Sequence, residues 1–67
     1  MSVAKVIEIN AASESSFEDA VRAGLAKAAT SVHGIQSAWI NEQTVRVDAT
    51  GNIEEFRVNM RVTFLLD

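Results

Sequence analysis

The sequence predicts an α+β fold with the element order β-α-β-β, in which a three-stranded antiparallel sheet wraps on one helix. Three observations support this prediction. One amphipathic stretch has helical periodicity, a stretch near the C-terminus alternates strictly between apolar and polar residues, and β-branched stretches lie on both sides of the helix. With 67 residues, no proline and no low-complexity segment, we expect a single domain, residues 1–67.

The small size of the domain limits the core that it can bury. A chain of about 60 residues buries only about 60% of the surface that its unfolded form exposes. Such domains are usually stabilised by disulfides, a metal or oligomerisation. The absence of cysteine and the single histidine exclude disulfides and a histidine-rich zinc site. Because 48% of the residues are hydrophobic, we expect a homo-oligomer.

Charge and hydropathy exclude two classes of partner. The net charge is −3 and there is no basic block, which argues against binding to nucleic acid. No apolar run approaches the roughly 20 residues of a membrane span, and the N-terminus lacks the features of a signal peptide. The expected setting is therefore cytoplasmic, with no membrane partner.

Residues 3–9 form a short β-branched run that predicts the first strand, and residues 10–15 are expected to be a polar linker. The helix is predicted over residues 16–33, because apolar residues recur there at spacings of three and four. These residues are Phe17, Val21, Leu25, Ala28 and Val32. Ser15 and Glu18 match a capping box, and Gly34 suits a left-handed residue that ends a helix.

The second strand is predicted over residues 35–48. Its apolar residues change parity along the way, from even positions at Ala38 and Ile40 to odd positions at Val45 and Val47. Since side chains alternate between the faces of a sheet, one extra residue is needed to keep both pairs on the core side. We therefore expect a β-bulge near residues 42–44.

A hairpin over residues 48–52 is expected to lead into the last strand, because Gly51 and Asn52 tolerate the positive φ that hairpin turns require. In that strand every second residue is apolar: Phe56, Val58, Met60, Val62 and Phe64. This apolar face is predicted to lie on the helix. The opposite sheet face is expected to carry Arg57, Asn59, Arg61, Ser37, Trp39 and Asn41.

Four blocks of the chain resemble the dodecin family, and the likeness covers nearly the whole length. They are Val-Ala-Lys-Val-Ile-Glu-Ile at 3–9, Ala-Ser-Glu-Ser-Ser-Phe-Glu-Asp-Ala-Val at 12–21, Gly-Leu-Ala-Lys-Ala at 24–28, and Phe-Arg-Val-Asn-Met-Arg-Val-Thr-Phe-Leu-Leu-Asp at 56–67. The resemblance implies a hollow homododecamer that stores flavin, FMN or riboflavin, without catalysis.

The resemblance also implies a flavin site. In flavin-binding members the ring stacks on a tryptophan at the position of Ser37, and a glutamine at the position of Arg57 hydrogen-bonds the ring. Here the tryptophan is Trp39, which keeps the same sheet face but lies about 7 Å further along the strand. The cofactor-binding candidates are therefore Trp39, Arg57 and Ser37, with Gln43 as a replacement for the missing glutamine.

An alternative interpretation is a dodecin-like shell that binds no flavin and serves a structural or ion-binding role. Trp39 would then fill a subunit contact, and Arg57 and Arg61 would form salt bridges between subunits. Clustered oxygens at the hairpin suggest calcium, but their spacing is typical of an ordinary turn, so no metal site is predicted. No nucleophile–base pair includes His33, so we predict no enzyme activity.

Overall fold

The computed structural model describes residues 2–66 and confirms the predicted order of elements. Strand β1 (Val3–Ser13) is followed by helix α1 (Phe17–Ala28), strand β2 (Ile35–Val47) and strand β3 (Ile53–Leu66). The strands form one antiparallel sheet in the order β1-β3-β2. β3, the strand with the strictest alternation, is thus the central one, since both of its edges are paired. Its alternation reflects one buried and one open face.

A small core lies between α1 and the sheet. Its buried residues are Ala20 of α1 and Val58, Met60 and Val62 of β3. Gly24 allows the helix to approach closely, since a Cβ atom there would lie 2.8 Å from the Met60 methyl carbon and 2.9 Å from the Ala11 Cβ. The helix packs mainly on β1 and β3.

The helix differs from its prediction at both ends. Its N-cap is Ser16, whose hydroxyl accepts a hydrogen bond from the Asp19 amide at 2.9 Å, so the capping box predicted at Ser15 is wrong. The helix ends at Ala28, five residues before the predicted end. The Thr30 hydroxyl donates to the Lys27 carbonyl at 2.7 Å, a local bond that competes with continued helix.

Gly34 has the expected positive φ of 76°, but it leads into β2 and does not end α1. Its carbonyl accepts a hydrogen bond from the Leu65 amide at 3.0 Å, which ties the start of β2 to the end of β3. His33 consequently lies in the connection between helix and strand, not in the last helical turn.

The strands are longer than the sequence suggested. β1 continues four residues beyond Ile9, because β3 supplies a partner for each added residue, as far as the Ser13–Phe56 pair. The pairing of β2 with β3 is irregular at three places, and the one nearest the predicted bulge lies between Ile40 and Glu42. It makes Asn41 an extra residue, one position before the predicted range.

The hairpin forms where it was expected, and Gly51 has a φ of 89°. Asn52 does not adopt positive φ. The turn is ordered instead by Asp48, whose Oδ1 accepts from the Thr50 amide at 2.8 Å and from the Asn52 amide at 3.0 Å.

The subunit is long and thin. Its principal extents are 53 × 19 × 13 Å and its radius of gyration is 13.9 Å, whereas a compact chain of this length has about 11 Å. Its accessible surface is 4820 Å², against about 4,200 Å² for a compact monomer of this mass. The 12 residues of α1 span only about 18 Å at 1.5 Å per residue, so most of the sheet is left uncovered.

Candidate functional site

The sheet face opposite α1, here called the open face, carries the candidate site. Because β3 turns Val58, Met60 and Val62 towards the core, the alternate residues of β3 point to the open face. Directly across from Arg61 on this face are Glu8 of β1 and Trp39 of β2. One row of three side chains therefore crosses all three strands.

Trp39 is the aromatic residue of this row, and 60% of its surface is exposed. The Arg61 guanidinium carbon lies 5.2 Å from the centre of the indole ring, within the range of a cation–π contact. On the other side of Arg61, its Nε lies 3.8 Å from Glu8 Oε2. The indole is thus in contact with a paired cation and still presents a large apolar surface to the outside.

Ser37 shares this face with Trp39, as predicted from the period of two. It is exposed and pairs with Thr63, one row away from the Trp39–Arg61 pair. A flat molecule stacked on the indole would therefore have a hydroxyl beside it.

Arg57 also lies on the open face, but it is four residues from Arg61 along β3, or about 13 Å. Its cross-strand neighbours are Ala12 and Thr44, and its Nε lies 3.5 Å from Glu55 Oε1. Arg57 is thus two rows away from the Trp39–Arg61 pair and contacts Glu55 instead. One chain therefore does not bring these two candidates together.

Gln43 lies on the other face of the sheet. The bulge at Asn41 places Glu42 opposite Asn59 and Gln43 opposite the core residue Val58. Gln43 thus points to the side of α1, away from Trp39 of the same chain. Within one chain Gln43 is therefore not beside Trp39, because the bulge sets its face.

A set of asparagine side chains lies between the rows of Arg57 and Arg61. Sequence reasoning placed Asn41 and Asn59 on this face but gave them no role, and it missed their neighbour Asn10. The Asn59 amide nitrogen donates to Asn10 Oδ1 at 2.9 Å across β3 and β1. The side-chain oxygens of Asn41 and Asn59 are buried and have no hydrogen-bond partner. A buried unpaired acceptor costs about 1–3 kcal/mol, so donors from outside the chain would stabilise this part of the sheet.

The acidic residues of the hairpin are occupied by contacts within the chain. A hydrogen bond from the Thr50 side chain, followed by bonds from the Asn52 and Thr50 amides, lowers the pKa of Asp48 below its usual value. Glu54 lies 3.8 Å from Arg46. Over residues 2–66, no group of three or more His, Cys, Asp or Glu side chains is placed to hold a metal ion.

Within the same residues, no helix combines the length and the hydropathy that crossing a bilayer requires.

Comparison with known proteins agrees with this geometry. The family model of the dodecins matches residues 3–67. The calcium dodecin of Mycobacterium tuberculosis is 39% identical over 64 residues, which cover 96% of this chain and 89% of that protein.

Solved structures show the same fold. An arginine-to-alanine variant of the Thermus thermophilus dodecin has a TM-score of 0.92 at 27% identity, with 100% of this chain and 98% of that chain covered. A crystal structure of the M. tuberculosis calcium dodecin has a TM-score of 0.83 at 35% identity, with 97% and 91% covered. This chain, with its β-α-β-β sheet and its exposed tryptophan on a polar open face, thus belongs to the dodecin family.

Proposed function

We propose that this protein is a non-catalytic storage protein that assembles into a hollow homododecamer and holds flavin, FMN or riboflavin, at subunit contacts. The observation that carries the proposal is the exposed indole of Trp39 on the open face. Since Trp39 is 60% exposed, its indole offers a platform on which a flat tricyclic ring can bury apolar surface.

Self-assembly is supported by the apolar side chains that one subunit leaves exposed. Among them are Val45, Val47 and Ile53, near the hairpin end of the sheet and beyond the reach of α1. Val3 and Val6 are exposed on β1, an outer strand. Contiguous exposed apolar surface is typical of interaction sites, and long unpaired sheet edges are rarely left open.

The candidate residues divide by distance from Trp39. Ser37 lies beside the platform in the same subunit, so its hydroxyl is the proposed polar neighbour of a stacked ring. Within the same subunit, Arg57 lies two rows away from Trp39, and Gln43 lies on the opposite face of the sheet. In the assembled shell, we propose that they reach the ligand only from a neighbouring copy.

Titration with riboflavin and with FMN tests the proposal. The protein has one tryptophan, so quenching of its fluorescence reports ligand at Trp39 directly. Trp39→Ala should weaken binding by about 1–3 kcal/mol, the range measured for stacking on aromatic side chains. Arg22→Ala, which truncates a long exposed side chain of α1 away from the open face, is the control and should bind like the parent protein.

Native mass is measured on the same samples. Twelve chains of 7.3 kDa give about 88 kDa. A stable monomer, or unchanged flavin and Trp39 fluorescence at micromolar concentrations, would contradict the proposal.

A second candidate function is a shell that binds calcium and no flavin, favoured by the 39% identity to a calcium dodecin. Calcium requires six to eight oxygen ligands, and the unpartnered amide oxygens of Asn41 and Asn59 are oxygens of the suitable kind. Because one chain supplies too few, such a site would need several subunits. Calorimetric titration with calcium after treatment with a chelator distinguishes this function: it predicts heat of binding and no response to riboflavin.

A further inference from the structure

We propose that Arg61 is a positioning residue for the ligand platform: held by Glu8, its guanidinium lies on Trp39 and fixes the orientation of the indole. This inference rests on the proposed flavin site, and it names the residues that prepare that site before ligand arrives. It is carried by the row of three cross-strand neighbours on the open face.

Arg61 has one cross-strand partner on each side, because it lies on the central strand. Glu8 and Trp39 are the two residues directly opposite Arg61, one on each neighbouring strand. The guanidinium is 3.8 Å from the carboxylate by its Nε and 5.2 Å from the indole centre by its Cζ. Arg61 therefore contacts the carboxylate of Glu8 on one side and the indole of Trp39 on the other.

An exposed indole without such a neighbour is free to rotate about its two side-chain torsions. A ligand that stacks on it must then stop this motion, and the loss of rotamer freedom weakens binding. With a guanidinium in contact with the ring, the restriction is already in place, and the ring surface that Arg61 leaves uncovered remains available to the ligand. Glu8 restricts Arg61 in the same way.

The same contacts contribute little to folding. Arg61 and Glu8 are about half exposed, and exposed ion pairs are weak. Removal of the guanidinium is thus expected to change the mobility of Trp39 and the affinity for flavin with no matching change in the unfolding midpoint. A residue with only a structural role would not give this pattern.

The test uses the whole protein and the variant Arg61→Met, which removes the charge but keeps most of the side-chain length. Time-resolved fluorescence anisotropy of Trp39 in the ligand-free protein should show faster local motion. Riboflavin affinity should fall by about twofold to fivefold, the size of an exposed cation–π contact. Arg61→Lys should restore part of both effects, and Glu8→Gln should give a smaller loss than Arg61→Met.

The matched control is Arg46→Met on the same face, which removes a guanidinium paired with Glu54 and not with the Trp39 row. It should leave the motion of Trp39 and the affinity for riboflavin unchanged. Equal effects of both variants would mean that overall charge is responsible, and unchanged anisotropy in Arg61→Met would overturn the inference. If the parent protein does not bind riboflavin, the flavin function fails, while the anisotropy still decides whether Arg61 positions the indole.

Discussion

Alternate residues of β3 lie in two different environments. On the side of α1, Met60 and Val62 are completely buried within one chain. On the open face, Arg57 pairs with the partly exposed Glu55, and Arg61 lies between the exposed Glu8 and the exposed indole of Trp39. Asn59 keeps a buried oxygen without a hydrogen-bond partner. The first face is buried within a single chain, whereas the second leaves polar groups exposed or without a hydrogen-bond partner. The core face therefore specifies the fold, whereas the open face is suited to contacts with other molecules.

The sharpest test of this comparison is a truncation on the core face. Met60→Ala leaves a cavity between α1 and the sheet, and should lower the free energy of unfolding by about 2–5 kcal/mol. Arg46→Ala on the open face is the control, with an expected change within about 0.5 kcal/mol. Both are measured by urea unfolding at one fixed protomer concentration, because assembly contributes to apparent stability. Equal losses would show that the two faces contribute alike to the fold.

The second test concerns the close contact of α1 with the sheet. Gly24→Ala places a methyl group 2.8 Å from the Met60 methyl carbon and 2.9 Å from the Ala11 Cβ. Met60 is flexible, but Ala11 Cβ moves only with its backbone, so we expect a loss of about 1–3 kcal/mol.

The sign of this change is informative, because alanine is the better helix former by about 1 kcal/mol. Ala26→Gly, on the exposed side of α1, measures that preference without the close contact. If Gly24→Ala stabilised the protein, the helix would not be held as tightly against β1 as the distances indicate.

How much of the fold could be predicted depends on how local its causes are. The strict alternation in the last strand identified both faces of β3, and the parity change in β2 located the bulge to within one residue of Asn41. The end of α1 was missed, because the side-chain bond from Thr30 to the Lys27 carbonyl competes with the apolar pattern that continues to Val32. Periodicity alone contains no information about that competition.

The site was less predictable, because it depends on which strands are neighbours. The face of Trp39 follows from its spacing, whereas the contact of Arg61 with both Glu8 and Trp39 requires the strand order β1-β3-β2. The position of Gln43 on the opposite face depends on which residue of β2 is extra. The strand order and the extra residue are determined by pairing across the sheet, which a single strand's sequence does not reveal.

A third test weakens the helix without touching either face of the sheet. Ser16→Ala removes the acceptor of the Asp19 amide at the start of α1, and should cost about 1 kcal/mol. Ser15→Ala is the control for the capping box that the sequence suggested, and should change stability less. A larger loss at Ser15 would mean that the helix in solution begins one residue earlier.

The smallest effect is expected at the hairpin, which belongs to neither face and is ordered by Asp48. Hydrogen bonds, above all from the Thr50 side chain, lower the pKa of Asp48 below its ordinary value of 3.8. A carboxylate whose pKa is lowered by folding stabilises the native state above its unfolded pKa, and this contribution is lost as the pH falls through the folded pKa. Asp48→Asn keeps the accepting oxygen but does not titrate.

The parent protein should therefore lose stability relative to Asp48→Asn as the pH is lowered from about 5 to about 2. Thr50→Val removes the leading hydrogen bond, so the pKa of Asp48 should move back towards its ordinary value, as followed by NMR of its carboxyl carbon. Identical acid dependence of unfolding in the parent protein and Asp48→Asn would show that the turn's hydrogen bonds do not favour the charged form. The side-chain hydrogen bonds would then order the turn equally in the charged and the neutral form, together with the backbone bond from Asp48 to Asn52 at 2.9 Å and the positive φ of Gly51.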